Sequence, residues 1–427
     1  MVKIAILGAG FGGLSAAYTL LKLGQQVVLI EKDTQVGGLA VGFKQPNWNW
    51  SLEKAYHHWF TNDEFVLGLA KEIGHKVIIK RPTTKVMIDG LLYPLDSPLS
   101  LLGLPRLSLI DKLRMGLTLS YLKISNNYRN FESIKALPWL EKTMGKNATN
   151  LIWQPLFQGK FSNYKDDISL SWFWARIKKR TPSLAYPDGG FQLFAEHLLT
   201  EIKKLGGEVL LNSKVLKITN KDHTNLSILL NKVPKTIIVD KVICTLPSPI
   251  FSKITPGLPA DYSKKICSIS HLHAQVLILC LNQPFLKDTY WLNITEKNWP
   301  FLVLAEHTNF MDKVFYNNQH IIYVGNYLPT NHPYLKLSAK ELLEIFDPYL
   351  NKLKPDYKQT ITDCFLFSAP FAQPVVTVGY KKNLSNFKTP LDNIYLANMD
   401  MVYPWDRGTN YAVEMGQKVA DLVHHET

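Results

Sequence analysis

Residues 3–24 read KIAILGAGFGGLSAAYTLLKLG. The first five, dominated by Ile, Ala and Leu, suit a short strand buried on both faces. From Gly13 apolar residues recur at helical spacing, and Gly24 stands where a left-handed helix cap is expected. Between strand and helix, Gly8, Gly10 and Gly13 form G-x-G-x-x-G. In such a turn the first glycine permits the tight bend, the second lets backbone approach a pyrophosphate, and the third lets helix pack on strand. The helix then presents free N–H groups and the positive end of its dipole to the phosphates.

The next segment, QQVVLIEKD (25–33), reads as a second strand that carries Glu31 to its end, where a carboxylate suits a ribose hydroxyl pair better than a 2′-phosphate. A ligand containing adenosine and a diphosphate is therefore expected. In EKDTQVGGLAVGF (31–43), Gly37 and Gly38 offer a second close approach of backbone to the same ligand. Together these segments resemble the N-terminal signature of the flavoprotein superfamily of amine oxidases, protoporphyrinogen oxidases and phytoene-type desaturases. The resemblance implies FAD, contacted by Gly8, Gly10, Phe11, Gly12, Gly13, Glu31, Lys32, Gly37, Gly38 and Leu39.

It continues along the chain. AYPDGGFQLFAEHLLTEIKKLGGEVLLNSKVLKI (185–218) resembles the return to the cofactor domain, with Val215 where the family contacts adenine through backbone. DKVICTLPSPIF (240–251) resembles the re-entering strand, and NIYLANMDMVYPWDRGTNYAVEMGQKVADLV (393–423) the closing strand, loop and helix. Thr409 or Asn410 is expected to cap that last helix. The resemblance aims its N-terminus at the flavin, with Asn410, Tyr411 and Ala412 adjacent. Relatives commonly have Gly-Asp after the closing strand, where this chain has Asn398-Met399 followed by Asp400. Asn398 could substitute as a neutral donor and acceptor, or Asp400 or Asp406 could supply the carboxylate.

The expected fold is thus α/β: a Rossmann-like FAD-binding domain (1–75, 185–251 and 389–427) with an inserted α+β substrate domain (76–184 and 252–388). Asp89-Gly90, between two apolar runs in TKVMIDGLLYPL (84–95), predicts a tight hairpin. The stretch 96–184 reads as mostly helical and Trp-rich, and 252–388 as short strands alternating with aromatic loops.

The segment WSLEKAYHHWFTNDEFVLGLAKEIG (50–74) occupies the stretch that in the resembled family runs beside the flavin ring. His57 and His58, set among aromatics, are candidate catalytic residues for proton transfer, because histidine titrates near neutrality. The equally weighted alternative is one structural and one solvent-facing histidine. HHWFTND also resembles UDP-galactopyranose mutase, which uses reduced flavin without net oxidation. A mutase's diphosphate substrate would need arginines, for which Arg176, Arg180 and Arg407 are candidates.

The 427 residues suffice for about two domains. Lys and Arg exceed Asp and Glu by 13, but basic residues are spread along the chain without a nucleic-acid module, so no nucleic-acid partner is expected. Cys244, Cys267, Cys280 and Cys364 lack metal-ligand or paired spacing, no metal motif occurs, and a cytoplasmic setting is expected. Residues 97–124 are Leu-rich with interspersed Arg and Lys, a pattern suited to peripheral membrane contact or to a helix pair packed on its own domain. No second glycine fingerprint indicates a nicotinamide site. The function expected from the resemblance is an FAD-dependent oxidoreductase that takes hydride from an apolar or amine-type small molecule. The alternative is mutase-like chemistry on a nucleotide-sugar.

Overall fold

A computed structural model describes residues 2–220 and 224–427. Its first layer is a parallel sheet of β1 (Lys3–Leu7), β2 (Gln26–Ile30), β3 (Glu208–Leu210), β4 (Lys241–Cys244) and β5 (Ile394–Leu396), in spatial order β3-β2-β1-β4-β5. All four pairings are parallel. Apolar side chains emerge on both faces, which explains the near-continuous apolar strands. Ile4, Ile6, Val27 and Leu29 pack with the helices Phe11–Lys22 and Phe191–Lys204. Ala5, Leu7, Val28 and Ile30 face a three-stranded antiparallel sheet, Ser213–Asn220, Thr224–Leu230 and Val233–Val239.

The second large sheet has seven strands in the order Ile361–Pro374, His271–Leu281, His320–Leu328, Val303–Glu306, Trp291–Ile294, Thr84–Ile88 and Leu91–Pro94. The Asp-Gly hairpin forms as expected, with Ile88 opposite Leu91 and positive φ at both Asp89 (54°) and Gly90 (76°). Its first strand joins Trp291–Ile294 in parallel, uniting residues 207 positions apart, as 291 − 84. The helices Leu109–Ile124, Ala136–Met144, Gln154–Phe161 and Leu170–Lys179 build a separate Trp- and Phe-rich core under this sheet.

Three local expectations change. The first helix begins at Phe11, two residues before Gly13, so the last glycine of the fingerprint lies inside its first turn and Gly10 is its N-cap. The strands after 252 include runs of 11, 9 and 14 residues rather than only short ones. A 15-residue helix, Ala339–Leu353, also lies there; its capping box, Ser338 with Glu341, supports it despite the internal Pro348.

Candidate active site

The glycine turn is a backbone cradle. Gly8 takes φ 99°, where an L side chain would be strained, and a Cβ on Gly13 would fall 1.9 Å from the Gly8 carbonyl oxygen. The helix Phe11–Lys22 therefore starts directly on β1. It has no side-chain cap and no acidic residue in its first turn, so its leading N–H groups are open to an anion. Gly37 donates its N–H to the Ala9 carbonyl (2.9 Å), and a Cβ on Gly38 would reach 2.9 Å from the Gly10 Cα, so the two glycine loops lie against each other.

Glu31 is buried at the rim of this cradle. One carboxylate oxygen accepts from the Ala9 N–H (2.7 Å) and the other from the Asp33 N–H (3.0 Å), which fixes its plane and leaves lone pairs for hydroxyl donors. Lys32, next in sequence, and Leu39 are both exposed. Val215 sits in the strand Ser213–Asn220, next to a bulge between Val215 and Lys217.

The closing helix, Thr409–His425, packs on the first helix through small residues. Ser15 donates its hydroxyl to the Val413 carbonyl (3.1 Å), and a Cβ on Gly12 would lie 3.3 Å from the Ala412 oxygen. Gly408, not Thr409 or Asn410, occupies the cap position, and no side chain caps the helix. Instead the Thr409 hydroxyl accepts from the Trp59 indole N–H (2.7 Å), and Asn410 Oδ1 accepts from the N–H groups of Phe65 and Val66, capping the helix Glu64–Glu72. These side chains tie the His57–His58 segment to an uncapped helix N-terminus. Tyr411 is buried, stacked near Trp405, and its hydroxyl has no partner among the described residues.

The loop after β5 is committed to its own neighbours. Asn398 donates to the Leu246 carbonyl and the Ser248 hydroxyl (both 3.0 Å), while its Oδ1 receives the Asp400 N–H; Met399 is half-buried beside them. Asp400 meets His271 Nε2 (2.5 Å) and the Ser248 hydroxyl (2.5 Å). Asp406 accepts from the Trp172 indole (3.0 Å) and pairs with Arg176 (2.5 Å). Burial opposes its ionisation, but Arg176, Lys160 and Arg407 outweigh burial and hold the carboxyl below the usual range.

His57 Nδ1 lies 2.7 Å from the Ala55 carbonyl, so that nitrogen carries the proton and Nε2 is the free acceptor. Its ring lies against Phe191. His58 Nδ1 lies 3.0 Å from the Tyr290 hydroxyl. Burial lowers His57 to about 4, with Arg407 adding to the effect, and lowers His58 to about 3, assisted by Arg180, His57 and Arg176. Both rings are therefore neutral near pH 7, which suits accepting a hydrogen bond better than donating a proton.

Sequence reasoning missed Lys160 and Glu53. Lys160, 8% exposed, reaches Tyr327 with Nζ 4.3 Å from the ring centroid, and the electrostatic neighbours of that ammonium are Arg176, Asp406, Arg407 and Arg180. It lies far from the fingerprint in sequence, so no motif drew attention to it. Glu53 is fully buried, accepts from Tyr186 (2.9 and 2.7 Å) and the Phe191 N–H (2.8 Å), and fixes the start of the helix after Gly190. Its partners lie 133 and 138 residues away, so no local pattern marked it.

Residues 11–424 match the family described as flavin containing amine oxidoreductase. The chain belongs to that family. The flavoprotein's curated relatives include the zeta-carotene desaturase of Arabidopsis thaliana (27% identical over 179 residues, 36% of this chain and 32% of the relative). The 15-cis-phytoene desaturase of the same plant is 24% identical over 281 residues, 60% of this chain and 49% of the relative. The chain thus matches about a third to a half of the length of these relatives.

Similar solved structures include a reduced UDP-galactopyranose mutase (TM-score 0.78, 16% identity, 100% of this chain and 96% of that one). A candidate protoporphyrinogen oxidase from Exiguobacterium sp. 255-15 gives 0.77 at 15% identity, with 100% and 99% covered. These likenesses establish a shared fold. The cofactor is FAD, and the donor set fits it: an uncapped glycine-lined helix start for the pyrophosphate and a pinned carboxylate for the ribose.

Among the described residues, no group of three or more His, Cys, Asp and Glu could hold a metal ion, and no helix is long and apolar enough to cross a membrane.

Proposed function

We propose that the flavoprotein is an FAD-dependent oxidoreductase that removes hydride from a small molecule held against His57 and His58. The carrying observation is the Trp59–Thr409 hydrogen bond, which brings the histidine segment to the uncapped start of the closing helix, itself packed on the start of the phosphate-binding helix. FAD, when bound, supplies hydride acceptance, and the protein supplies position and electrostatics. Gly8, Gly10, Phe11, Gly12 and Gly13 would hold the pyrophosphate, Glu31 the ribose, and the backbone near Gly37, Gly38, Leu39 and Val215 the adenosine side. Asn410, Tyr411 and Ala412 open the helix whose dipole favours negative charge nearby. Neutral His57 offers Nε2 to a substrate hydrogen-bond donor.

In this reading residues 1–75, 185–251 and 389–427 form the FAD-binding part, and 76–184 with 252–388 the substrate part. The proposed setting is cytoplasmic, consistent with the four free cysteines. Peripheral membrane contact is supported by the helix Leu109–Ile124. Met115, Thr118 and Leu122 face inward, while Leu109, Ile110, Leu113, Leu117, Tyr121 and Ile124, 49% to 73% exposed, form an outward stripe.

The test is an absorption spectrum of purified protein, then anaerobic photoreduction and readmission of air. A flavin spectrum that bleaches and returns supports the proposal; a folded, colourless protein that cannot be reconstituted with FAD overturns it. The mutase-like reading is favoured by Arg176, Arg180 and Arg407 lying around the histidines. It requires turnover of a UDP-sugar by the reduced protein without net consumption of reductant.

A further inference from the structure

We propose that Lys160, Arg176, Arg180 and Arg407 form an oxyanion subsite that binds the phosphate or carboxylate end of the substrate. This rests on the reading that the face carrying His57 and His58 is the substrate side.

Four cations converge from three separate segments. Lys160 comes from the helix Gln154–Phe161, Arg176 and Arg180 from the helix Leu170–Lys179 and its C-cap, and Arg407 from the loop before the closing helix. Trp172, Arg176 and Arg180 are spaced four apart, so they follow one side of their helix. Lys160 and Arg407 both lie over the Tyr327 ring, at 4.3 and 5.1 Å from its centroid, and Arg176 lies over Trp172 at 5.2 Å. The cluster borders the histidines: Arg407 acts electrostatically on His57, and Arg180 and Arg176 on His58. Tyr56 lines the same space, its hydroxyl within electrostatic reach of Arg407 and Tyr327.

Charge is badly balanced there. Asp406 pairs with Arg176, and Arg407 is held by Gln373 Oε1 (2.9 Å) and the Tyr327 hydroxyl, neither of which is anionic at neutral pH. Lys160 is more than nine-tenths buried, yet its Nζ makes no salt bridge or hydrogen bond among the described residues; its contacts are aromatic faces. The Arg180 guanidinium has no acceptor among the described residues either, but Arg180 is exposed and stands at the open edge of the cluster, so the buried, unpaired cation is Lys160. Cation–π contact offsets only part of what burying an uncompensated ion costs. Burial and the three guanidinium neighbours push the Lys160 ammonium well below its usual range, while Asp406 alone pulls the other way.

Such an arrangement is unfavourable unless an anion completes it. Guanidinium groups match phosphate and carboxylate oxygens in paired geometry, and Lys160 adds a point charge from the other side. A protonated amine would meet repulsion at the same place, so the subsite selects against cationic substrates. No hydrogen bond or ion pair among the described residues links the four cations to the glycine cradle, so the subsite adds to the phosphate-binding turn rather than extending it.

The test is calorimetric titration of FAD-loaded protein with inorganic pyrophosphate and, separately, with citrate. Lys160→Met and Arg180→Met are compared with the exposed control Lys253→Met. The expected result is saturable binding, weakened at least tenfold by either site variant and unchanged in the control. Proton uptake should accompany binding in the wild type and be reduced in Lys160→Met. Tighter pyrophosphate assigns a phosphorylated substrate, and tighter citrate a carboxylated one. Lys160→Met should also melt at or above the wild-type temperature, a pattern expected of a residue retained for ligand rather than fold. Equal affinity in wild type and both variants, or no binding of either anion, overturns the subsite. A protein that cannot be loaded with FAD would instead count against the functional reading, whereas a loaded protein that binds neither anion overturns the subsite alone.

Discussion

A Cβ placed on Gly416 would lie 2.2 Å from the carbonyl oxygen of Gly12. The first and closing helices therefore touch backbone to backbone, in the first turn of one and two turns into the other. Gly416→Leu should force them apart, and overpacking of this kind costs about 1–3 kcal/mol. The expected outcome is a lower melting temperature and substoichiometric FAD, read from the ratio of flavin to protein absorbance. Full FAD content with unchanged melting would contradict the tight contact.

Glu31 serves two backbone donors before any ribose arrives. Glu31→Ala leaves the Ala9 and Asp33 N–H groups without their acceptor, and hydrogen bonds to a charged group contribute roughly 1.5–3 kcal/mol. FAD affinity should fall by at least tenfold, and Glu31→Gln, which keeps an acceptor oxygen, should lose less. Fluorescence titration of apoprotein with FAD measures both.

Burial dominates Glu53 and raises it to about 7, against the hydrogen bonds from Phe191 and Tyr186. With its folded value raised, its cost to stability grows as pH rises from about 4.5 through 7 and then levels. The same rise relieves His57 and His58, whose folded values are lowered, so their cost appears only as pH falls below about 6.5. Glu53→Gln should therefore gain stability relative to wild type between pH 6 and 8. Paired melting curves across that range check the sign, and a difference independent of pH would refute it.

The outward stripe on the helix Leu109–Ile124 is flanked by Arg106, Lys112, Arg114 and Lys123. Vesicles containing anionic lipid should pull down the protein at low salt, and Leu113→Glu with Leu117→Glu should abolish this while leaving FAD content unchanged. Both positions are exposed, so the pair should fold normally. No sedimentation at low salt would remove membrane contact from the proposed function.

The glycine cradle and the Asp89-Gly90 hairpin were legible because each depends on a few neighbouring residues whose backbone requirements leave a compositional mark. The succession of strand, helix and strand across residues 3–30 was legible for the same reason. The partners of Asp400 and Asp406 were not legible: each carboxylate meets a side chain 129 or 230 residues away. Lys160 was hidden for the same reason, since a lone lysine in QPLFQGKF carries no pattern of its own. The cap of the closing helix was misread because Thr409 and Asn410 satisfy other donors, a choice made by tertiary neighbours rather than by local preference.

The parallel sheet takes its outer strand, β5, from residues 394–396, and the seven-stranded sheet closes only with Ile361–Pro374. During synthesis, the chain through Pro374 must leave the ribosome before the seven-stranded sheet has all its strands, and the chain through Leu396 before the parallel sheet has. Nascent chains therefore carry unpaired strand edges until Leu396 has emerged, and the cofactor cradle acquires its second helix after both sheets. Maturation should be a late, all-at-once event, in which FAD can act as a template for the final assembly rather than as cargo loaded onto a finished protein.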